Sequence, residues 1–306
     1  MQATPAFRYF RSLAASLLLW AASAHVASSA AEIDTIATGL HFPEGAIFVG
    51  NTLYFADYTT SDVQRIAGGK AEQVWHGDGC GANGLVALHD ELLVACYDSG
   101  TIVRLTLAGQ IRETIGHDQA GGTFVSPNDL ADDGTGGVYF TTSGSGSILG
   151  KVFYRSPFGR VTEVAAGIDY ANGLAVSNDH KLLYVVESRK HRLLKFAIGA
   201  DGRLSDGTEF ADLGALLAGS EGDAVTPDGL RIDQHGRLFV ALYNGGGFAV
   251  LGQDGKLIEK TDLPGAHHAS LAIAPDGKSL YLTATDDIPG GGYHGELLRI
   301  DNPSTN

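Results

Sequence analysis

Short apolar stretches fill most of this chain, and turn residues interrupt them every few positions. A short apolar segment, a tight polar turn and a second segment that ends in an aromatic or hydroxyl residue recur. The first copy covers residues 44–48 and 52–58. Short apolar segments between turn signals are typical of β-strands, and long helical periodicity is absent from the sequence. The pattern therefore predicts an all-β protein.

This pair of strands recurs six times along the chain. The copies begin at Glu44, Asn83, Asn128, Asn172, Asp228 and Ala269, with spacings of 39 to 56 residues. That spacing is typical of the four-stranded blade of a β-propeller. Third and fourth strands are predicted at residues 62–66 and 72–76, 102–106 and 111–115, 151–154 and 161–165, 193–198 and 208–212, and 247–251 and 257–261.

The last repeat lacks one strand. The sequence ends shortly after an apolar segment at residues 296–300, whereas the segment at residues 32–37 has no partner in its own repeat. Pairing the two would remove an exposed sheet edge. We therefore predict a six-bladed β-propeller, closed by pairing the N-terminal strand with the C-terminal blade.

The first thirty residues have the order of a secretory signal peptide. Arg8 and Arg11 precede an apolar run at residues 13–22, and small residues follow as far as Ala30. The run is shorter than the roughly 20 residues that span a bilayer, which argues against an uncleaved anchor. We expect residues 1–30 to be removed, residues 31–306 to form one propeller domain, and the protein to be periplasmic or secreted.

Charge narrows the range of partners. The formal net charge is −14, and removing Arg8 and Arg11 with the signal peptide makes it −16. Nucleic acids and anionic membrane surfaces repel such a protein. We expect a small-molecule substrate, no nucleic-acid partner, no membrane partner and a monomer.

Two cysteines, Cys80 and Cys96, make up the whole cysteine content of the chain. A predicted hairpin of residues 85–88 and 92–97, turning at His89 and Asp90, places both near the same end of a blade. Exported proteins meet an oxidising environment, in which a disulfide can form. A disulfide and a pair of separate buried thiols are both compatible with this pattern.

The candidate chemistry lies where the inner strands begin. In a propeller the first strand of each blade lines the central channel, so the opening residues converge on the axis at one end. Here they are Glu44, Asn83, Asn128, Asn172, Asp228 and Ala269. Carboxylate and amide oxygens without cysteine or histidine suit a hard cation. We predict one divalent cation on the axis; Ca²⁺ is favoured, and Mg²⁺, Mn²⁺ and Zn²⁺ are the alternatives.

Loops that follow the second strand of each blade return to the same end of the channel. They are therefore candidates for contacts with a substrate. These loops contain Tyr58, Tyr97 and residues 141–147, 189–191, 243–247 and 286–294.

Five short motifs, in their order and spacing, resemble the regucalcin (senescence marker protein) and gluconolactonase family of six-bladed propellers. They are FPEG at residues 42–45, SPND at 126–129, NGLA at 172–175 with LYV at 183–185, TPDGL at 226–230 and LYLT at 280–283. The resemblance implies that Glu44, Asn172 and Asp228 bind the metal. It makes Asn128 a fourth ligand or a residue that holds water and substrate. Sugar-lactone members often have arginine where this chain has Ser126, so a less polar or differently shaped lactone is an equal alternative to gluconolactone as the substrate.

Together these features favour metal-dependent hydrolysis of a lactone or related small ester. A cation would polarise the carbonyl, and a carboxylate would activate the attacking water. The catalytic candidates are Asp228, as the base, and Asn128. A carboxylate bound to a metal is a weak base, so either Asp228 changes its ligation or the metal acidifies the water. A binding propeller with a structural calcium ion and a phosphotriesterase-like hydrolase are the alternatives.

Overall fold

Six four-stranded antiparallel sheets form the part of the chain that the computed structural model describes, residues 32–218 and 225–305. The predicted signal peptide lies outside the described residues. The sheets follow one another along the chain as the blades of a propeller, and each blade begins with its innermost strand. The predicted all-β, six-bladed fold is confirmed.

The strands occur at the following positions, in chain order. The N-terminal strand is β1 (Ile33–Leu40). Blade 1 contains β2 (Pro43–Val49), β3 (Thr52–Asp57), β4 (Asp62–Ala67) and β5 (Lys70–His76). Blade 2 contains β6 (Ala82–Leu88), β7 (Glu91–Cys96), β8 (Thr101–Thr106) and β9 (Ile111–Ile115). Blade 3 contains β10 (Pro127–Asp132), β11 (Val138–Thr142), β12 (Gly150–Arg155) and β13 (Val161–Ile168).

Blade 4 contains β14 (Ala171–Val176), β15 (Leu182–Glu187), β16 (Arg192–Ala197) and β17 (Thr208–Asp212). Blade 5 contains β18 (Pro227–Ile232), β19 (Leu238–Leu242), β20 (Gly247–Leu251) and β21 (Leu257–Asp262). Blade 6 contains β22 (Leu271–Ile273), β23 (Ser279–Asp287) and β24 (Tyr293–Asp301). Helix is confined in the described residues to α1 (Leu213–Leu216) and two 3₁₀ turns, Ser188–Lys190 and Pro303–Thr305. None of these helices is long or apolar enough to cross a membrane.

Strand β1 completes the sixth blade, as predicted. It pairs antiparallel with β24, from Ile33 opposite Ile300 to Leu40 opposite Gly295. The strand ends three residues later than expected, and its last residue, Leu40, is buried. Chain segments from the two ends of the domain thus share one sheet.

The apolar core consists of six clusters, each formed by residues of two neighbouring blades. Between blades 1 and 2, for example, Tyr54 and Val63 pack with Leu92 and Val103. At the closing junction, Ala37 of β1 belongs to the same cluster as the blade 1 residues Leu53 and Phe55. Burying one large apolar side chain contributes roughly 1.5–3 kcal/mol to stability. The junctions between blades therefore hold the ring together.

Cys80 and Cys96 form a disulfide, which decides between the two arrangements that the sequence allowed. Cys80 lies just before β6 and Cys96 ends β7, so the bond ties the entry of the inner strand to the end of its neighbour. Both residues are buried in the cluster between blades 1 and 2.

We expect peptide mass spectrometry under non-reducing conditions to show Cys80 linked to Cys96 in exported protein. The bond closes a loop with a sequence separation of 16, for which chain entropy predicts a stabilisation of about 3 kcal/mol. Replacing both cysteines by serine should therefore lower the melting temperature by roughly 6–12 °C. Two free thiols in the exported protein, or equal melting temperatures, would contradict the assignment.

Candidate functional site

The polar residues that open the inner strands converge on one cavity of about 400 Å³ at one end of the propeller axis. Five of the six predicted positions line its floor: Glu44, Asn83, Asn128, Asn172 and Asp228. The sixth, Ala269, lines a much smaller space next to the same residues. The structure thus brings the predicted ring together.

Irregular pairing at the start of the inner strands of blades 1 to 5 directs the five polar side chains to the axis. In blade 3 the register with β11 shifts between Pro127 and Leu130, so Asn128 lies within a bulge. The same shift surrounds Asn172 in blade 4 and Asp228 in blade 5. Bulges bend and twist a strand locally and often redirect a side chain at a functional site.

The glycine after most ring residues is required by the next blade. A Cβ atom on Gly84 would lie 2.3 Å from the carbonyl oxygen of Asn128, and one on Gly173 would lie 2.4 Å from that of Asp228. Only glycine fits where two inner strands approach this closely. The glycines of the repeated Asn-Gly and Asp-Gly pairs are therefore required for packing between successive blades as well as for turn geometry.

The two carboxylates of the ring lie in an environment that opposes their ionisation. Burial raises the pKa of Glu44 well above its usual value, and the neighbouring charges of Asp228 and Asp129 raise it further. Burial, followed by the charge of Asp129, raises the pKa of Asp228 to about 8, although a hydrogen bond from Asn172 lowers it. Asp228 retains some exposure to the cavity, but protein atoms enclose it on its other sides. Burial remains the main cause because little water reaches the carboxylate.

Beneath the ring, a partly buried ion pair joins blade 5 to blade 3. Arg231 of blade 5 donates a 2.8 Å hydrogen bond to Asp129 of blade 3. Its guanidinium also donates to the carbonyl oxygen of Leu230 and lies 3.5 Å from that of Ala46 in blade 1. The charge of Asp129 is thus balanced by Arg231, whereas neither Glu44 nor Asp228 forms a salt bridge within residues 32–218 and 225–305.

The ring fits a hard cation by its donor set. The carboxylates of Glu44 and Asp228, neither of which forms a salt bridge in the described residues, carry the charge that would balance a divalent ion, and the amides of Asn128 and Asn172 add neutral oxygens. In the described part of the chain, no three histidine, cysteine, aspartate or glutamate side chains are grouped so that they could hold a metal. A cation here would therefore depend on amide or backbone oxygens as well as on Glu44 and Asp228.

The cavity wall contains several of the residues predicted to contact a substrate. Tyr58, Tyr97, Arg189, Tyr243 and Asn244 all line it. The predicted loops at residues 141–147 and 286–294 do not contribute lining residues. In the first of these loops, Thr141 donates a 2.8 Å hydrogen bond to the carbonyl oxygen of Asn172, so it ties blade 3 to blade 4.

Sequence reasoning missed four wall residues: Phe42, Tyr170, Ser188 and Thr226. Three of them share one signal, since Phe42, Tyr170 and Thr226 each lie two residues before a ring residue. At that position the chain approaches the propeller axis and runs beside the cavity. Ser126 occupies the same position in blade 3, but its small side chain does not line the cavity.

In the metal-free protein, the pKa shift of Asp228 predicts stability that falls with pH. The folded state keeps a proton on Asp228 up to its raised pKa of about 8, whereas the unfolded state loses it near the ordinary aspartate pKa of 3.8. Between these values the folded state binds more protons, so the free energy of unfolding decreases as pH rises. Each pKa unit corresponds to about 1.4 kcal/mol.

We expect the melting temperature in chelator to fall by several degrees between pH 5 and pH 8. Calcium should raise it more at pH 8 than at pH 5, because the cation binds the ionised carboxylate. Asp228→Asn is the matched control, because it removes the titrating group and keeps the shape. An equal pH dependence in this variant and in the unmodified protein would rule out Asp228 as the cause.

Comparison with known proteins gives a consistent result. The family model of the SMP-30/gluconolactonase/LRE-like region matches residues 42–286. The lactonase drp35 of Staphylococcus epidermidis is 34% identical over 213 residues, which cover 66% of this chain and 60% of the relative. A lactonase drp35 of Staphylococcus aureus is 31% identical over 221 residues, which cover 66% of this chain and 65% of the relative. The chain thus spans less than two thirds of the length of these relatives.

Solved structures share the fold. A gluconolactonase from Xanthomonas campestris superposes with a TM-score of 0.73 at 23% identity, covering 88% of this chain and 90% of the other. Regucalcin from Agrobacterium tumefaciens, a calcium-binding protein, superposes with a TM-score of 0.66 at 19% identity. The match covers 86% of this chain and 92% of regucalcin.

Proposed function

Because the chain belongs to the SMP-30/gluconolactonase/LRE-like family, we propose that it is a lactone hydrolase that uses one divalent cation on the propeller axis. One observation carries the proposal. Glu44 and Asp228 lie on the floor of a solvent-accessible cavity, in an environment that raises the pKa of both carboxyl groups. A stable fold rarely keeps two such groups together unless a ligand or a reaction uses them. The lactonase relatives support the choice of reaction.

Glu44, Asn172 and Asp228 would hold the cation, and Asn128 would complete the site or hold the water and the substrate. The cation, of which calcium is the favoured kind, supplies a Lewis acid for the carbonyl group when bound. The hydrogen bond from Asn172 fixes the orientation of Asp228. Asp228 is the proposed base, which takes the proton of the attacking water.

The cavity wall would position the substrate above this floor. Tyr58, Tyr97, Tyr170 and Tyr243 surround the opening and limit the access of water to the reacting groups. Holding an ester close to a fixed base converts a reaction between separate molecules into one within a complex. Recognition of the substrate thus depends on the walls, and its reaction on the ring.

We also propose that the protein is exported and acts as a monomer on a small molecule. The disulfide between Cys80 and Cys96 supports the exported location, because such bonds persist mainly outside the cytosol. Comparing the N-terminal residue of the precursor with that of protein recovered from the periplasm or medium tests this proposal.

A panel of lactones, aryl esters and organophosphates, assayed with calcium and then with chelator, tests the activity. We expect lactones to be hydrolysed only when the divalent cation is present. Asp90→Asn is a matched control for the ring substitutions, since Asp90 lies on a hairpin turn between β6 and β7. Calcium binding without turnover of any compound would indicate a binding propeller, and preferential turnover of organophosphates a phosphotriesterase.

A further inference from the structure

Most polar side chains on the upper wall of the cavity are hydrogen-bonded to other protein groups. The hydroxyl groups of Tyr97 and Tyr170 share a hydrogen bond of 3.0 Å. Tyr97 follows β7 of blade 2 and Tyr170 precedes β14 of blade 4, so their contact spans blade 3. The hydroxyl of Tyr58 donates to Asp98 at 3.0 Å. Three of the wall tyrosines therefore present ring surface to the cavity.

Two further polar wall residues are engaged in the same way, whereas the half-exposed guanidinium of Arg189 forms only an ion pair with Asp169 among the polar groups of the described residues. Ser188 donates a 2.7 Å hydrogen bond to the carbonyl oxygen of Pro227. Asn244 donates to the hydroxyl of Thr226 at 3.4 Å. Tyr243 is a further exception, because its hydroxyl has no hydrogen-bond partner among the residues that the structure describes. The wall thus offers a substrate few free donors or acceptors above the ring.

Aromatic contacts continue around the opening. The ring of Phe42 lies 4.8 Å from that of Tyr293, 5.9 Å from that of Tyr58 and 6.3 Å from that of Tyr243. Tyr58 in turn lies 6.0 Å from Tyr97. Edge-to-face pairs of this kind stabilise one another and form a continuous apolar surface.

Tyr170 is held in this wall against its backbone preference. Its φ angle is +63°, in the left-handed region that bulky residues rarely adopt. The guanidinium of Arg189 lies 5.1 Å from the centre of its ring. Arg189 also lies 3.5 Å from Asp169, which balances its charge. Strained residues that persist at a cavity are often functional, because the surrounding structure must hold them there.

We propose that the cavity selects lactones with an alkyl substituent on the ring over polyhydroxylated sugar lactones. The ester group lies at the polar floor, and the alkyl chain packs against Phe42, Tyr97 and Tyr170. A sugar lactone would bury several hydroxyl groups against a wall with few partners for them, which is unfavourable. The inference rests on the proposed hydrolase function and specifies its substrate class.

Rates for a series of δ-lactones with increasingly long alkyl substituents test the proposal, with D-glucono-δ-lactone as the sugar comparison. Each buried methylene is expected to raise kcat/KM by about fourfold until the chain leaves the cavity. The gluconolactone should be hydrolysed at least about tenfold less efficiently than unsubstituted δ-valerolactone. Equal kcat/KM values along the alkyl series, or a higher kcat/KM for gluconolactone than for the alkyl lactones, would overturn the proposal.

Variants of the wall identify its contribution. Tyr170→Ala should raise KM for the long alkyl lactones and lower the ratio of their kcat/KM to that for δ-valerolactone. The double variant Tyr97→Phe, Tyr170→Phe keeps the apolar surface without the hydroxyl pair and should retain the alkyl preference. Tyr281→Ala is a control, because Tyr281 packs against Phe48 at the junction of blades 6 and 1. Loss of the alkyl preference in this control, or its persistence in a folded Tyr170→Ala variant, would contradict the assignment.

Binding of the corresponding δ-lactams, measured by calorimetry with calcium present, separates this inference from the proposed activity. Lactams resist hydrolysis but keep the shape of the substrate. If no lactone is hydrolysed and alkyl lactams still bind more tightly than δ-valerolactam, the selectivity is upheld and the hydrolase function fails. If lactones are hydrolysed and lactam affinity does not depend on the alkyl chain, the hydrolase function stands and the selectivity fails.

Discussion

Replacing Asp228 by alanine is expected to abolish calcium binding and lactone hydrolysis while the propeller stays folded. The change removes one of the two carboxylates of the ring and leaves Glu44 as the only ring residue with a negative charge. Calcium affinity should fall by at least about 10²-fold, as for disruption of a metal site. Turnover should fall by about 10³-fold or more, because the proposed base is lost together with the cation. Calorimetric titration with calcium and initial rates with the best lactone measure the two effects.

The metal-free fold should not suffer from this substitution. Burial and the charge of Asp129 raise the pKa of Asp228 and show that the ionised group is unfavourable there. In chelator the variant should therefore melt at the same temperature as the unmodified protein or higher. In calcium the unmodified protein should be the more stable of the two, because ligand binding stabilises the folded state.

Asn128→Ala is the matched comparison, because it removes a neutral oxygen from the same ring. Calcium should still bind, whereas turnover should drop by about 10²-fold, which is typical of one positioned group. If Asp228→Ala bound calcium with full affinity, or hydrolysed the best lactone at the normal rate, the axial site would have to be abandoned.

Deleting residues 31–38 is expected to destabilise the whole propeller, rather than to loosen one end. The deletion removes most of β1, which forms the outer strand of blade 6. It also removes Ile36 and Ala37, which pack in the cluster at the junction with blade 1. Loss of the strand pairing and of this apolar contact should lower the free energy of unfolding by several kcal/mol. A fall in melting temperature of roughly 10 °C or more follows for a domain of this size.

Thr38→Ala provides the control, since Thr38 is exposed on the same strand and its change keeps the pairing. Its melting temperature should stay within about 2 °C of that of the unmodified protein. A deletion variant that melts as late as this control, in one cooperative transition, would show that the ring does not depend on β1.

The repeat made the fold predictable from the sequence. Each blade encodes its own strands by short apolar segments and turn residues, which act over a few positions, so six copies repeat the same prediction. The missing strand of the last copy also revealed the closure of the ring. The extent of β1 was less predictable, because Leu40 is buried by packing against another blade and not by its own pattern.

The ring residues could likewise be located from the sequence, since they open successive inner strands at a repeated position. The signal was clear because Gly84 and Gly173 must be glycine for the next blade to pack. The wall was found only in part. The position of Tyr170, two residues before Asn172, does not reveal its partner, because its contact with Tyr97 joins residues 73 positions apart.

By itself, the sequence determined the number of blades, the order of the strands and the positions of Glu44, Asn128, Asn172 and Asp228 at the axis. These features follow from local patterns that repeat. Only the tertiary structure decided the pairing of Cys80 with Cys96, the ion pair between Arg231 and Asp129, and the bonding of the wall tyrosines to one another. Each of these depends on which side chains the folded chain brings together in space, and on the burial that results.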